Sequence, residues 1–225
     1  MPLIVLEGLD GAGKSTQVRL LTEYYEKKGK NVYFLHFPRL EAPYWGEMIA
    51  SFLRGEYGNI DQVHPQLVAA LYAGDRWDAS AEIKEHLDKG DVVFLDRYVF
   101  SNLAYQCAKL NDQQEKEKLR KWILNFEFEY FNIPKPDINI FLDVPPSVVE
   151  QKLQENRTGS DREYLKGKSD IHEKSSLFQK KVREEYLFLC KNYDLTYIDC
   201  STDNHLLAPI EVVFERILSE IVKAC

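Results

Sequence analysis

The sequence predicts an α/β fold in which a mostly parallel sheet carries helices on both faces. Two observations predict it. Short apolar runs alternate with longer amphipathic stretches from end to end, and the first run passes directly into a glycine-rich loop that opens a helix. Crossovers of this length join parallel strands, which then have to be buried on both sides.

In chain order, Leu3–Leu6 is a short apolar run that reads as the first strand, and Gly8–Ser15 is the loop. Ser15–Lys28 sets Val18, Leu21 and Tyr25 three and four residues apart, the spacing of one helix face. Val32–Phe37 is the second strand. Alanine, leucine and branched residues near 63–73 predict a buried helix, and Ala81–Asp88 predicts another, with Ile83 and Leu87 on one face and Gly90 as its stop. Val92–Leu95, Ile138–Leu142 and Thr196–Ile198 supply three more strands. The last helix is predicted over Leu206–Val222, where Ile210, Val213, Phe214, Ile217 and Ile221 recur at helical spacing. No repeat or linker divides residues 1–225, so a single domain is expected.

Composition narrows the class. With 225 residues, 44% of them hydrophobic, the chain can bury a sizeable core. No run approaches the roughly 18 apolar residues of a membrane span, and the opening Met-Pro-Leu-Ile-Val-Leu-Glu lacks a basic leader. Cys107, Cys190, Cys200 and Cys225 have no metal-like spacing and are expected as thiols of a cytoplasmic protein. A formal net charge of −7 argues against a general nucleic-acid binder. Residues 157–183 depart from the acidic average, with eight Lys/Arg against four Asp/Glu. Their glycine-containing first part, 157–170, reads as a mobile lid or as a solvated surface loop.

The chemistry begins at Gly8-Leu9-Asp10-Gly11-Ala12-Gly13-Lys14-Ser15, which matches G-x-x-x-x-G-K-[ST] between a predicted strand and a predicted helix. Glycines let backbone N–H groups converge on phosphate oxygens, and the helix N-terminus adds a favourable dipole. Lys14 is placed to reach the β- and γ-phosphates, and the Ser15 hydroxyl to coordinate Mg²⁺. Val92–Asp96 is an apolar strand ending in a carboxylate, the form expected of an acid beside that metal; a turn Asp is the alternative. A guanine-reading N-K-x-D string is missing from the expected place, and the size suits a small-molecule phosphotransferase.

Several motifs together resemble the thymidylate kinases over nearly the whole chain. They are Glu7 through Thr16, Phe37-Pro38-Arg39, Asp75-Arg76-Trp77, Asp96-Arg97-Tyr98 with Ser101, Asn102 and Tyr105, and Pro134-Lys135-Pro136-Asp137, followed by the basic segment. The resemblance implies a three-layer P-loop fold with a five-stranded parallel sheet ordered 2-3-1-4-5, plus a lid. It implies ATP-dependent phosphorylation of dTMP to dTDP with Mg²⁺, no nucleic-acid or membrane partner, and a homodimer. ATP would lie along Gly8 to Thr16, with Arg157 at the adenine nucleotide. The dTMP site would take Asp10, Arg39, Tyr72, Arg76, Arg97, Asn102 and Tyr105. In this reading Arg39 and Arg97 clamp the acceptor phosphate, Tyr72 stacks on the base, Arg76 and Asn102 read its edge, and Tyr105 crowds the sugar. Ser15, Asp96 and Glu173 are the implied metal or nucleotide contacts, Glu173 having a solvated helix carboxylate as its alternative. Gly11 and Ala12 leave the loop without an arginine, so the transferring phosphoryl group would be met from the lid, by Arg162 first, as in bacterial members. Lys14, Arg97, Arg162 and Asp10 are the implied catalytic set. Another nucleoside monophosphate or deoxynucleoside kinase, or a non-catalytic nucleotide sensor, remains the alternative.

Overall fold

The computed structural model describes residues 2–149, 164–165, 176–204 and 206–224. Five strands form one parallel sheet: β1 (Leu3–Gly8), β2 (Val32–His36), β3 (Val92–Asp96), β4 (Ile138–Asp143) and β5 (Thr196–Asp199). Their spatial order is β2-β3-β1-β4-β5, as the resemblance implies. Every residue of β1, β3 and β4 is buried, which explains why these strands read as unbroken apolar runs rather than alternating ones. Leu6 pairs with Asp96 and His36 with Asp96, so the ends of β1, β2 and β3 share one edge of the sheet. The crossover after β1 leads over β3 to β2, whereas the one after β3 leads over β1 to β4. Adjacent strands whose crossovers diverge leave a crevice at their carboxyl ends.

Helix α1 (Lys14–Lys27) packs on β1, β2 and β3, and on the last helix, α7 (Ile210–Ala224). On the other side lie α3 (Pro65–Lys89), α4 (Val99–Cys107) and α6 (Ser176–Asn192), with α2 (Trp45–Leu53) against α3 and α5 (Gln113–Leu124) against α4. A π-helical turn, Asn125–Tyr130, extends α5.

The structure corrects the helix boundaries. The two helices predicted around 63–73 and 81–88 are one continuous helix, α3, of 25 residues, started by Pro65 and stopped by Gly90 in the left-handed region. Its middle lacks an apolar period because the buried residues there, Gly74, Asp75 and Arg76, serve packing and charge instead. The last helix starts at Ile210 rather than Leu206. Pro209 precedes its first turn, and Leu207 forms an isolated bridge with Ser201. Cys107, Cys190 and Cys200 are free thiols, pushed up to about 12 by burial. Among the described residues no helix is long and apolar enough to cross a membrane.

Candidate functional site

The loop between β1 and α1 bends through Gly11 and Gly13 at φ of 79° and 80°. A Cβ on Gly13 would meet nothing within 4 Å, so conformation rather than space requires glycine there. Lys14 folds back over its own loop, its Nζ donating to the carbonyls of Gly8 (3.3 Å) and Leu9 (3.2 Å). Burial, followed by the nearby Arg97, lowers its pKa from the usual lysine value. Asp10, Gly11, Gly13, Lys14, Ser15 and Thr16 face a cavity of about 950 Å³, which Gly8, Leu9 and Ala12 do not line.

Asp96 stands at the end of β3 on the opposite side of that crevice. Its carboxylate accepts from Ser15 Oγ at 3.4 Å and lies 3.8 Å from Lys14 Nζ and 3.3 Å from His36 Nδ1. Burial works to raise its pKa, but Lys14, His36 and Arg97 outweigh it and hold the group below the usual carboxylate range. Oδ1 is buried and accepts no hydrogen bond among the described residues. One hydroxyl and one carboxylate with a spare oxygen suit Mg²⁺, which draws most of its ligands from phosphates and water. No cluster of three or more His, Cys, Asp or Glu among the described residues offers an alternative all-protein cage.

Arg97 follows immediately. Its φ of 68° is left-handed, a strain of about 1–3 kcal/mol for a side chain of this size. The backbone is held by its N–H donating to the Leu6 carbonyl at 2.9 Å. The guanidinium donates from Nη2 to Asp10 (3.0 Å) and from Nη1 to Ser101 Oγ (3.2 Å), and sits 5.3 Å from the centre of the Tyr105 ring. Arg97 and Tyr105 are buried, and both line the cavity.

The far end of the cavity is lined by Tyr72 and Arg76 from α3, and by Asn102 and Gln106 from α4. Arg76 is buried and forms a two-point pair with Glu127, its Nη2 donating at 2.7 Å. Burial opposes that charge, and Glu127 outweighs the penalty, raising the Arg76 pKa above its ordinary value. Asn102 donates through Nδ2 to the carbonyl of Ala69 (3.0 Å) and to Glu127 (2.9 Å). Both partners are acceptors, so the amide orientation is fixed, and Oδ1 is left buried without a hydrogen bond among the described residues. The side chain therefore offers a ligand an acceptor and no donor.

Of the residues predicted for the dTMP site, Arg39 does not line the cavity. Its Nε donates to Asp75 at 2.9 Å, and Nη2 reaches the Asp75 carbonyl and Asp78. Arg157, Arg162 and Glu173 lie outside the described residues, as does the lid segment 157–170 apart from Tyr164 and Leu165. Sequence reasoning missed Glu127, which holds Arg76 and Asn102 at the far end of the cavity. Its signal was a carboxylate within Phe126-Glu127-Phe128, where flanking aromatics draw the chain inward. It also missed Tyr164, which lines the cavity and whose carbonyl accepts from Arg54 Nη1 at 2.7 Å.

A family model described as thymidylate kinase matches residues 6–211. Over 221 residues the chain is 33% identical to a probable thymidylate kinase of Thermococcus kodakarensis, covering 93% of this chain and 97% of that one. It is 36% identical over 150 residues to the thymidylate kinase of Mycobacterium tuberculosis, 67% and 69% of the two chains. With that of Plasmodium falciparum it shares 34% identity over 183 residues, 81% and 74% of the chains. Among solved structures, a thymidylate kinase from Candida albicans matches at a TM-score of 0.70 and 25% identity, over 99% of this chain and 91% of that one.

Proposed function

The chain belongs to the thymidylate kinase family, and from that premise we infer that it transfers the γ-phosphoryl group of ATP to the 5′-phosphate of dTMP, giving dTDP. One observation carries the reading: a single cavity joins the phosphate-binding loop to a base-sized end with a stacking ring, a guanidinium and a bare acceptor. Tyr72 stacks on thymine. Arg76 Nη1, which Glu127 does not engage, donates to a ring carbonyl, and Asn102 Oδ1 accepts from N3–H.

The acceptor is already an anionic phosphate oxygen, so no strong general base is required, and catalysis is positioning with charge neutralisation. Lys14 holds the donor phosphates, while Arg97, steadied by Asp10, holds the acceptor phosphate in line. Ser15 and Asp96 are the residues that would hold Mg²⁺, which when bound neutralises charge on the β- and γ-phosphates. The resemblance supports Arg162 as the contact to the transferring group, Arg157 as one to the adenine nucleotide and Glu173 as a further contact to the nucleotide or metal. It supports Arg39 as a second contact, beside Arg97, to the acceptor phosphate. The Arg39 guanidinium, bonded to Asp75 and Asp78, would have to give up contacts there to reach it. The same resemblance supports a homodimer working in the cytoplasm.

The test is ADP release with ATP and each of dTMP, dUMP, thymidine and dGMP. The comparison with dGMP matters because the Candida albicans structure is described by its broad substrate specificity. Preference for dTMP is expected. Turnover of dTMP no better than that of dGMP would move the acceptor assignment, and absence of dTMP-dependent turnover would favour a nucleotide-binding sensor.

A further inference from the structure

We propose that Glu7 is the positioning residue for Arg97, acting through the Ser101 hydroxyl, with Tyr186 completing the arrangement from α6. This rests on the reading of Arg97 as the acceptor-phosphate clamp.

Glu7 is the penultimate residue of β1, next to the phosphate-binding loop, and is fully buried. A carboxylate there incurs a desolvation cost, so it has to be surrounded by donors. Four are present. Oε1 accepts from the backbone N–H groups of Tyr98 (2.9 Å) and Ser101 (3.1 Å), which belong to the N-terminal turn of α4. Oε2 accepts from the Ser101 hydroxyl and from Tyr186 Oη (3.0 Å). The backbone pair is a helix cap supplied from a neighbouring strand. The hydroxyl pair is not needed for capping, and it lies directly behind Arg97.

The polarity of these bonds supplies the function. An ionised carboxylate can only accept, so it draws the single proton of Ser101 Oγ toward itself. The oxygen is then left as an acceptor for Arg97 Nη1 at 3.2 Å. Tyr186 Oη, 2.8 Å from Ser101 Oγ and 3.0 Å from Glu7, has its own proton drawn to the same carboxylate. With Asp10 on Nη2, the guanidinium is fixed at two of its three nitrogens, and its remaining N–H groups are presented as a fork. Glutamine at position 7 would offer Ser101 a donor in place of an acceptor, so the hydroxyl proton would no longer be held away from Arg97.

The experiment is titration of dTMP and of thymidine, which lacks the phosphate, against the full-length wild type and against Glu7→Gln, Ser101→Ala, Ser101→Thr and Tyr186→Phe. Losing a charge-assisted hydrogen bond to the clamp corresponds to roughly tenfold. Glu7→Gln and Ser101→Ala should each weaken dTMP by about that factor and leave thymidine within about twofold, Tyr186→Phe should do so to a smaller degree, and Ser101→Thr should restore dTMP binding. In an Arg97→Ala background Ser101→Ala should have no further effect. Equal losses for dTMP and thymidine would make Glu7 a helix cap and nothing more, and additive losses with Arg97→Ala would also overturn the proposal. If Glu7→Gln fails to fold, the serine and tyrosine variants decide alone. Wild-type protein that binds thymidine but not dTMP any better would refute the clamp reading of Arg97 itself, a different failure from unaltered dTMP binding in the variants.

Discussion

On the proposed reading, Glu127 sets the base specificity of the cavity through Arg76 and Asn102. It compensates the buried Arg76 and fixes the Asn102 amide at once. Removing one member of a buried pair leaves the other charge uncompensated, at about 3–5 kcal/mol. Glu127→Gln should therefore raise KM for dTMP by about 10- to 100-fold and leave KM for ATP unchanged in steady-state kinetics. Lys14 is the opposite case, with its nitrogen among the phosphate-loop carbonyls and no link to the base end. Lys14→Ala should lower kcat by at least about 100-fold, and an unchanged kcat would remove it from the mechanism. At this scale the sequence was most legible where one residue type does one job, as at Lys14, Ser15, Asp96 and Arg97. It was least legible where a side chain acts through another. Glu127 lies 51 residues from Arg76, and only packing of α3 against the π-helical turn brings them together. Arg39 reads as a phosphate ligand in a motif, yet in the fold it faces two carboxylates on α3.

Helices α2 and α3 pack together with Trp45 lying on Gly74. A Cβ at position 74 would come within 2.4 Å of the indole ring. Inside a helix, glycine is ordinarily worse than alanine by about 1 kcal/mol, so Gly→Ala should stabilise. Here the sign inverts. Gly74→Ala should destabilise by about 1–3 kcal/mol in chemical denaturation, and the loss should shrink when Trp45 is replaced by leucine. Lys109, just past α4, gives a pH test. Its nitrogen is buried, has no hydrogen-bond partner among the described residues and lies 4.8 Å from the centre of the Phe52 ring. Burial, opposed by Asp61, lowers its pKa from 10.5 to about 7. The folded protein thus binds fewer protons than the unfolded chain between pH 7 and 10.5, and stability should rise with pH across that window. Lys109→Met should stabilise by on the order of 1–3 kcal/mol at pH 7, with the gain fading toward pH 10 in thermal melts. The elements themselves were legible where apolar residues recurred on one helix face, as in α1, or ran unbroken through strands buried on both sides, as in β1, β3 and β4. In α3 the period vanished because a helix enclosed on several sides buries glycine, aspartate and arginine along with leucine.

Across the whole molecule, the order of the strands is what turns separate motifs into one site. Periodicity announced five strands but carried no information about which lie side by side; that order came only with the motif set. The parallel register then brings His36, Asp96 and the end of β1 to one edge, so that residues far apart in the chain meet across one crevice. Charge follows the same logic. The chain carries a net −7, and the cationic side chains Lys14, Arg76 and Arg97 that line the cavity are buried inside it rather than spread on the surface. At long range such a molecule repels polyanions, and at contact it offers a small phosphate an enclosed cationic seat. Salt separates the two regimes, because exposed charges are screened beyond about 8 Å at 0.15 M while enclosed pairs are screened far less. A surface patch that bound a polyanion by releasing its condensed counterions would lose affinity by orders of magnitude over this range. Binding of dTMP should therefore vary by less than about threefold between 50 and 500 mM KCl, while duplex DNA shows no binding even at the lowest salt. A steep salt slope for dTMP in calorimetric titrations would mean that the phosphate is held at the surface and not in the crevice.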